Sequence, residues 1–272
     1  MRLYETSWPL QIPTNENNII VRCCFIYLIL VLQYEEEQVL LIHNHKIEYF
    51  MSQIQKNSLK FLKQLAANNN KAWFDANRPD YEAAKANFIE FIGELITKMG
   101  AIDSGVAGLE AKKTIFRINR DVRFSKDKSP YKNNFGATLS MGGKNMQTAG
   151  YYFQIQPGNK SFAAAGSYMP IPENLAKIRQ EIDYNFKDFK KIVESAAFKK
   201  QFETLDEIEK LKTVPKGYNA DNAALEYLKH KSFVVSHTFT DTEVTDPAFI
   251  KTVVTTFKTA FPLVKFINNA LE

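Results

Sequence analysis

The sequence predicts an α+β domain in which helical layers pack on a small, mainly antiparallel sheet. Three observations carry this. Long stretches at both ends of the body repeat apolar residues at intervals of three and four. Several short strand-like runs follow one another between residues 114 and 168 with Gly-bearing turns and no helix between them. That order argues for an antiparallel meander and against βαβ alternation.

The elements follow in order. Asn57-Ser58 is placed to cap a short helix bearing Leu59, Leu62 and Leu65, ended by Asn68-Asn69-Asn70. Residues 71–76 read as a further turn or two. Asn77 is a good N-cap residue, with Pro79 and Asp80 in the first turn of the helix it starts. That helix carries Phe88, Phe91, Ile92, Leu95, Ile96 and Met99 on one face and closes at Gly100. Strands are expected at 114–119, 135–141, 151–156 and 160–168. Helices return with Pro172 and Glu173, with Leu175, Ile178 and Ile182 inward. Residues 186–212 read as an amphipathic helical stretch. A short helix over 223–229 is capped by Asp221 or Asn222, a strand spans 233–239, and Thr245-Asp246-Pro247 opens the last long helix.

The chain has 272 residues, with 45% hydrophobic and 24% charged, ordinary values for a globular protein. Its two cysteines are adjacent, Cys23 and Cys24, so residues 51–272 have no disulfide, cysteine-ligated zinc or cysteine nucleophile. This fits a reducing compartment, and a cytoplasmic location is expected. Residues 1–50 contain no Gly, Ala or Asp, a composition that arises when AT-rich non-coding DNA is translated. They are expected to be a non-native or disordered N-terminal extension, with translation starting at Met51 and a single domain over 51–272. The apolar run 23–32 is shorter than the roughly 20 residues a membrane helix needs, so no membrane association is expected.

The charge is uneven. Residues 112–132 hold eight Lys/Arg and two Asp, a net of +6, whereas the whole chain carries +5. A concentrated surplus of this kind points to an anionic partner. If residues 114–124 stay extended, alternation sets Arg117, Asn119, Asp121 and Arg123 against Phe116, Ile118, Val122 and Phe124. Arg120 would then lie among the apolar residues and need a partner. Eleven residues is long for a strand, so the favoured reading ends the strand near Asn119 and makes the rest a loop. In a loop, Arg117, Arg120 and Arg123 can converge on one anion, with Lys126, Lys128, Tyr131 and Lys132 around it. Asp121 and Asp127 are the nearby candidates for a general base. The alternative is structural, with the arginines paired internally and the lysines solvated. Lys71, Asn77 and Arg78 are secondary candidates for the same cleft. Tyr151, Tyr152 and Phe162 are either packing residues or stacking platforms for bases.

The run from Phe116 to Lys132 resembles the signature of the conserved hypothetical family known as domain of unknown function 2461. Two further segments share the resemblance. One comprises Phe61-Leu62, Leu65, Asn68-Asn69-Asn70-Lys71, Trp73-Phe74, Asn77-Arg78 and Tyr81. The other comprises Leu211-Lys212, Pro215-Lys216-Gly217-Tyr218 and Leu228 to Phe233. Together they cover about residues 57–240. Relatives commonly show Asp-His-Pro where this chain has Asp221-Asn222-Ala223. The resemblance implies no particular activity.

No phosphate-binding loop, dinucleotide fingerprint or nucleophile elbow is present, and His230 and His237 lie seven apart in different elements. No metal or cofactor is expected. The expected function is binding, with turnover as an open alternative, of a small phosphate- or carboxylate-bearing molecule at 112–132. Two others stand beside it: a nucleic-acid-binding module using the same loop, and a structural or interaction domain.

Overall fold

The computed structural model describes residues 53–141, 143 and 147–272. These all belong to one unit, Tyr49–Glu272. The expectations for residues 1–50 lie outside the described residues.

The fold is α+β. Helices α1 (Lys56–Ala67), α2 (Lys71–Ala76) and α3 (Arg78–Gly100) come first, then the single turn α4 (Ala111–Thr114). Strands β1 (Phe135–Leu139), β2 (Gly150–Ile155) and β3 (Ser161–Ser167) follow. Next are α5 (Pro172–Tyr184), α6 (Phe186–Val193), α7 (Ala196–Phe202) and α8 (Leu225–Leu228). Strand β4 (Phe233–Phe239), α9 (Asp241–Val244) and α10 (Phe249–Leu271) complete the chain. The sheet is a meander in the order β1-β2-β3-β4, antiparallel throughout.

Alternation along the strands assigns the sheet two different faces. Phe135, Ala137, Leu139, Tyr151, Phe153, Ile155, Ala163 and Ala165 are buried against the helices. The Phe153 ring lies 5.3 Å from Phe91, 5.9 Å from Phe249 and 6.1 Å from Phe88, joining sheet, α3 and α10 in one aromatic cluster. The apolar stripe of α3 at Phe88, Phe91, Ile92, Leu95, Ile96 and Met99 is buried as its spacing predicts. Buried Asn87 ties this helix to the chain ahead of α1. Its Nδ2 donates to Gln53 O at 2.7 Å, and its Oδ1 accepts from Gln55 N and Ser58 Oγ, both at 2.9 Å.

Several local expectations are corrected. Ser58 is a buried partner of Asn87, and Gln55 occupies the N-cap of α1. Asn77 donates its side chain back to Trp73 O at 2.8 Å and leaves α3 without a side-chain cap. Residues 114–119 form no strand. They make two single bridges, Ile115 with Ala137 and Asn119 with Tyr131. The stretch 186–212 breaks at Ser195, whose Oγ accepts from Phe198 N at 3.3 Å and caps α7. Beyond Phe202 the backbone leaves the helix and bonds the free edge of β4 and the end of α8. Asp206 N donates to Val234 O at 2.8 Å, and Leu211 N donates to Lys229 O at 2.8 Å. Among the described residues, no helix is long and apolar enough to cross a membrane.

Candidate functional site

The basic motif is a closed loop with a hydrogen-bonded neck. Arg120 N donates to Pro130 O at 2.9 Å and Lys132 N donates to Ile118 O at 2.8 Å. Ile118 is buried and plugs the neck into the core. Tyr131 is buried beside it, its ring stacked on Phe74 at 4.1 Å, and the Asn69 side chain holds both its N–H and its carbonyl. Tyr131 is therefore anchored in the core.

Within the loop the charges largely satisfy one another. Arg120 pairs with Asp127 and also reaches Ser129 O at 3.3 Å and Ser125 Oγ at 3.4 Å. Arg123 pairs with Asp121 at 2.7 Å, and Lys128 Nζ donates to Val122 O at 2.9 Å. Lys126 is exposed. The Ser129 hydroxyl and N–H, followed by Arg120, hold the Asp127 carboxyl well below the usual carboxylate range. Arg123 lowers Asp121 in the same way. A base is weakened by such a shift, so neither carboxylate is suited to abstracting a proton near neutrality. Phe124 does not pack with its apolar neighbours but is 95% exposed at the tip. Lys71 and Arg78 both pair with Asp75 at the corner between α2 and α3.

Arg117 differs from the other two arginines. It makes no ion pair or hydrogen bond among the described residues, although it is near enough to Asp121 to lower that group's pKa. The chain at Phe116 runs beside the free edge of β1, with Phe116 N donating to Gly136 O at 2.8 Å. There Phe116, Arg117, Lys132, Asn134, Gly136 and Tyr152 enclose a recess of about 130 Å³. Lys132 Nζ lies 5.5 Å from the Phe116 ring. Arg120 thus has its own partners in Asp127, Ser125 and Ser129, whereas Arg117 and Arg123 both lie near Asp121.

The recess opens beside a larger trough on the sheet face turned away from the helices, a cavity of about 570 Å³ that shares the walls Phe116 and Tyr152. Its floor is made of the second residue set of each strand. Ala164 and Gly166 come from β3, Gly150 from β2, and Val234 and Ser236 from β4. Small side chains in the middle leave the strand backbone as a flat floor. Phe116, Tyr152, Phe162 and Tyr168 stand around it. A Cβ at Gly136 would lie 2.5 Å from the Tyr152 hydroxyl, so glycine there lets the tyrosine lie across β1. The Tyr152 hydroxyl donates to Gln154 Oε1 at 2.9 Å, and burial pushes its pKa up to about 12. Of the aromatic residues singled out from the sequence, Tyr152 and Phe162 face the trough. Tyr151 faces the core, with its hydroxyl donating to Asp103 at 2.8 Å.

Asp206 lines the trough at the free edge of β4. Burial raises its pKa, and the neighbouring Ser236 hydroxyl and N–H offset part of the shift. A carboxyl raised above the unfolded value of 3.8 holds more protons folded than unfolded, so stability falls as pH rises through that window. Near neutrality the ionised Asp206 is a net cost. Asp206→Asn is expected to raise the melting temperature at pH 7 relative to wild type. The gain should vanish below about pH 4, where both states of the wild type are protonated. Melting curves of the two proteins across pH check this, and a less stable variant at pH 7 would refute it.

Sequence reasoning located Arg117 and Lys132 but missed Asp206, Ser236 and Gly136. The second face of the strands carries small residues at alternate positions, which was a readable sign of an uncovered floor. Asp206 carried no local signal. Asn222 caps a turn. Its Oδ1 accepts from Ala224 N at 2.7 Å, and its Nδ2 donates to Asp183 at 2.6 Å.

Comparison with known families gives one match, over residues 57–266, to the family described as Conserved hypothetical protein (DUF2461). No curated protein and no solved structure matches the chain. The matched segment extends from α1 into α10 and includes the whole sheet, the basic loop and the trough. The chain therefore belongs to the DUF2461 family of conserved hypothetical proteins.

Proposed function

We propose that the protein binds a small molecule with a carboxylate or phosphate group and an apolar body. The apolar body lies in the sheet trough and the anionic group rests against Arg117 and Lys132. The observation that carries this reading is the junction of the two cavities. A guanidinium without an ion pair among the described residues stands beside an aromatic-walled trough of about 570 Å³, a size typical of small-molecule sites. The charges at the tip of the basic loop support a nucleic-acid reading less well, because Arg120, Arg123 and Lys128 are taken up by the loop itself.

The test compares biphenyl-4-carboxylate with its neutral isostere biphenyl-4-carboxamide by titration calorimetry. The acid is expected to bind the wild type about tenfold more tightly, the worth of one charge-assisted hydrogen bond. Arg117→Gln is expected to remove that preference. Equal binding of acid and amide by the wild type would overturn the reading. So would an unchanged preference in the variant.

A further inference from the structure

We infer that the ligand of the trough is elongated and largely flat, with its anionic group at one end and a hydroxyl or amino hydrogen-bond donor at the other, received by Asp206. This rests on the trough reading above and deepens it by naming the second group the ligand must carry.

The first support is the position of Asp206 relative to Arg117. The segment bearing Phe116 and Arg117 lies along the free edge of β1, and the segment bearing Asp206 lies along the free edge of β4. Four strands separated by about 4.8 Å place these edges at least 14 Å apart. The two anchor points also differ along the strands. Phe116 bonds Gly136, which shares a row with Gln154, Phe162 and Thr238. Asp206 bonds Val234, in the row of Gly166 and Gly150. Thr238 and Val234 are four residues apart, or about 13 Å along a strand. The two flanking segments add one strand spacing on each side, so the anchors sit at diagonal corners, about 27 Å apart by backbone position. Extended arginine and aspartate side chains and a hydrogen bond of about 3 Å at each end leave on the order of 10 Å for the ligand.

The second support is the state of the carboxylate. Asp206 is half-buried, lines the cavity and has no ion pair among the described residues. The donor groups beside it there are the hydroxyl and N–H of Ser236. An ionised carboxylate has about four acceptor sites and no donor, so acceptor capacity is left over in the trough. Leaving it unmet is unfavourable in a partly dehydrated cavity. A ligand donor meets it, whereas an anionic group at this corner is repelled. Asp206 and Arg117 together thus fix the direction in which the ligand lies.

The third support is the shape between the corners. Ala164, Gly166 and Gly150 present almost no side chain to the trough, while Tyr152 and Phe162 present ring surface. Such a floor favours a flat body lying on the strands.

The experiment uses the full chain with two probes of equal length, 4′-hydroxybiphenyl-4-carboxylate and 4′-methoxybiphenyl-4-carboxylate. Only the first has a donor at its far end. The wild type is expected to bind the hydroxyl probe about tenfold more tightly than the methoxy probe. In Asp206→Asn the ratio of the two dissociation constants is expected to collapse toward one. In Arg117→Gln both probes should weaken together and the ratio should survive. A wild-type ratio near one would overturn the inference without any variant, and so would a ratio that persists in Asp206→Asn. Failure of both probes to bind the wild type would instead remove the trough reading itself, and this inference with it. Binding of both probes with no preference removes only the role given to Asp206.

Discussion

Gly166→Ala is expected to be among the most destabilising single methyl additions in the sheet. Gly166 lies within β3 at a φ of +125°, where an L side chain is strained. A Cβ there would also stand 2.0 Å from the carbonyl oxygen of Phe233 on the neighbouring β4. That oxygen belongs to backbone fixed by the register Gly166 with Val234 and Ser167 with Phe233, so it has no side-chain freedom with which to retreat. Backbone strain of about 1–3 kcal/mol and overpacking of about 1–3 kcal/mol act together. The urea midpoint should fall by the equivalent of about 4 kcal/mol. Gly158→Ala is the control. Gly158 also has positive φ, +82°, but a Cβ there meets nothing within 4 Å. Its cost should be about 1 kcal/mol. Equal losses for the two variants would show that strain alone matters and that β3 and β4 do not approach as closely as described.

Phe153→Ala is expected to be about as severe for the opposite reason. Phe153 is fully buried at the centre of the cluster formed with Phe88, Phe91 and Phe249. Removing its ring leaves a cavity that three separate elements would have to collapse to fill. A buried Phe→Ala change costs about 3–5 kcal/mol. For a domain of this size that lowers the melting temperature by about 10 °C. Phe124→Ala is the matched comparison, because Phe124 is 95% exposed. It should stay within about 0.5 kcal/mol of wild type. A large loss at Phe124 would mean that the basic loop packs where the described geometry leaves it open.

The contrast between these two phenylalanines shows where sequence reading succeeds. Phe153 sits in a short alternating run bounded by turn residues, and its burial follows from the period of the strand. Phe124 alternates just as convincingly with Phe116, Ile118 and Val122. Its exposure was illegible because only four backbone hydrogen bonds join the segment to β1 and to itself, donated by Phe116, Arg120, Ser125 and Lys132. Past the neck, the side chains of Asp121 and Asp127 bind nearby donors in the loop and set its course. Propensity along the chain does not report such side-chain closures.

The sequence by itself determined the α+β class, the antiparallel meander, the apolar face of α3 and the membership signalled by the run from Phe116 to Lys132. Each of these is written in local periodicity or in a contiguous motif, and local signals survive without knowledge of the partner surface. The tertiary structure decided the rest. It set Arg120 against Asp127 and brought both Arg117 and Arg123 near Asp121, because each guanidinium follows its neighbours in space and not its spacing in the chain. It also brought Asp206 to the trough that Phe116 and Tyr152 wall, although Asp206 lies 54 residues beyond Tyr152 in the sequence. That meeting depends on which edge of β4 is free and on which sheet face the helices leave open. Both are set by long-range packing, and no local pattern in the chain encodes them.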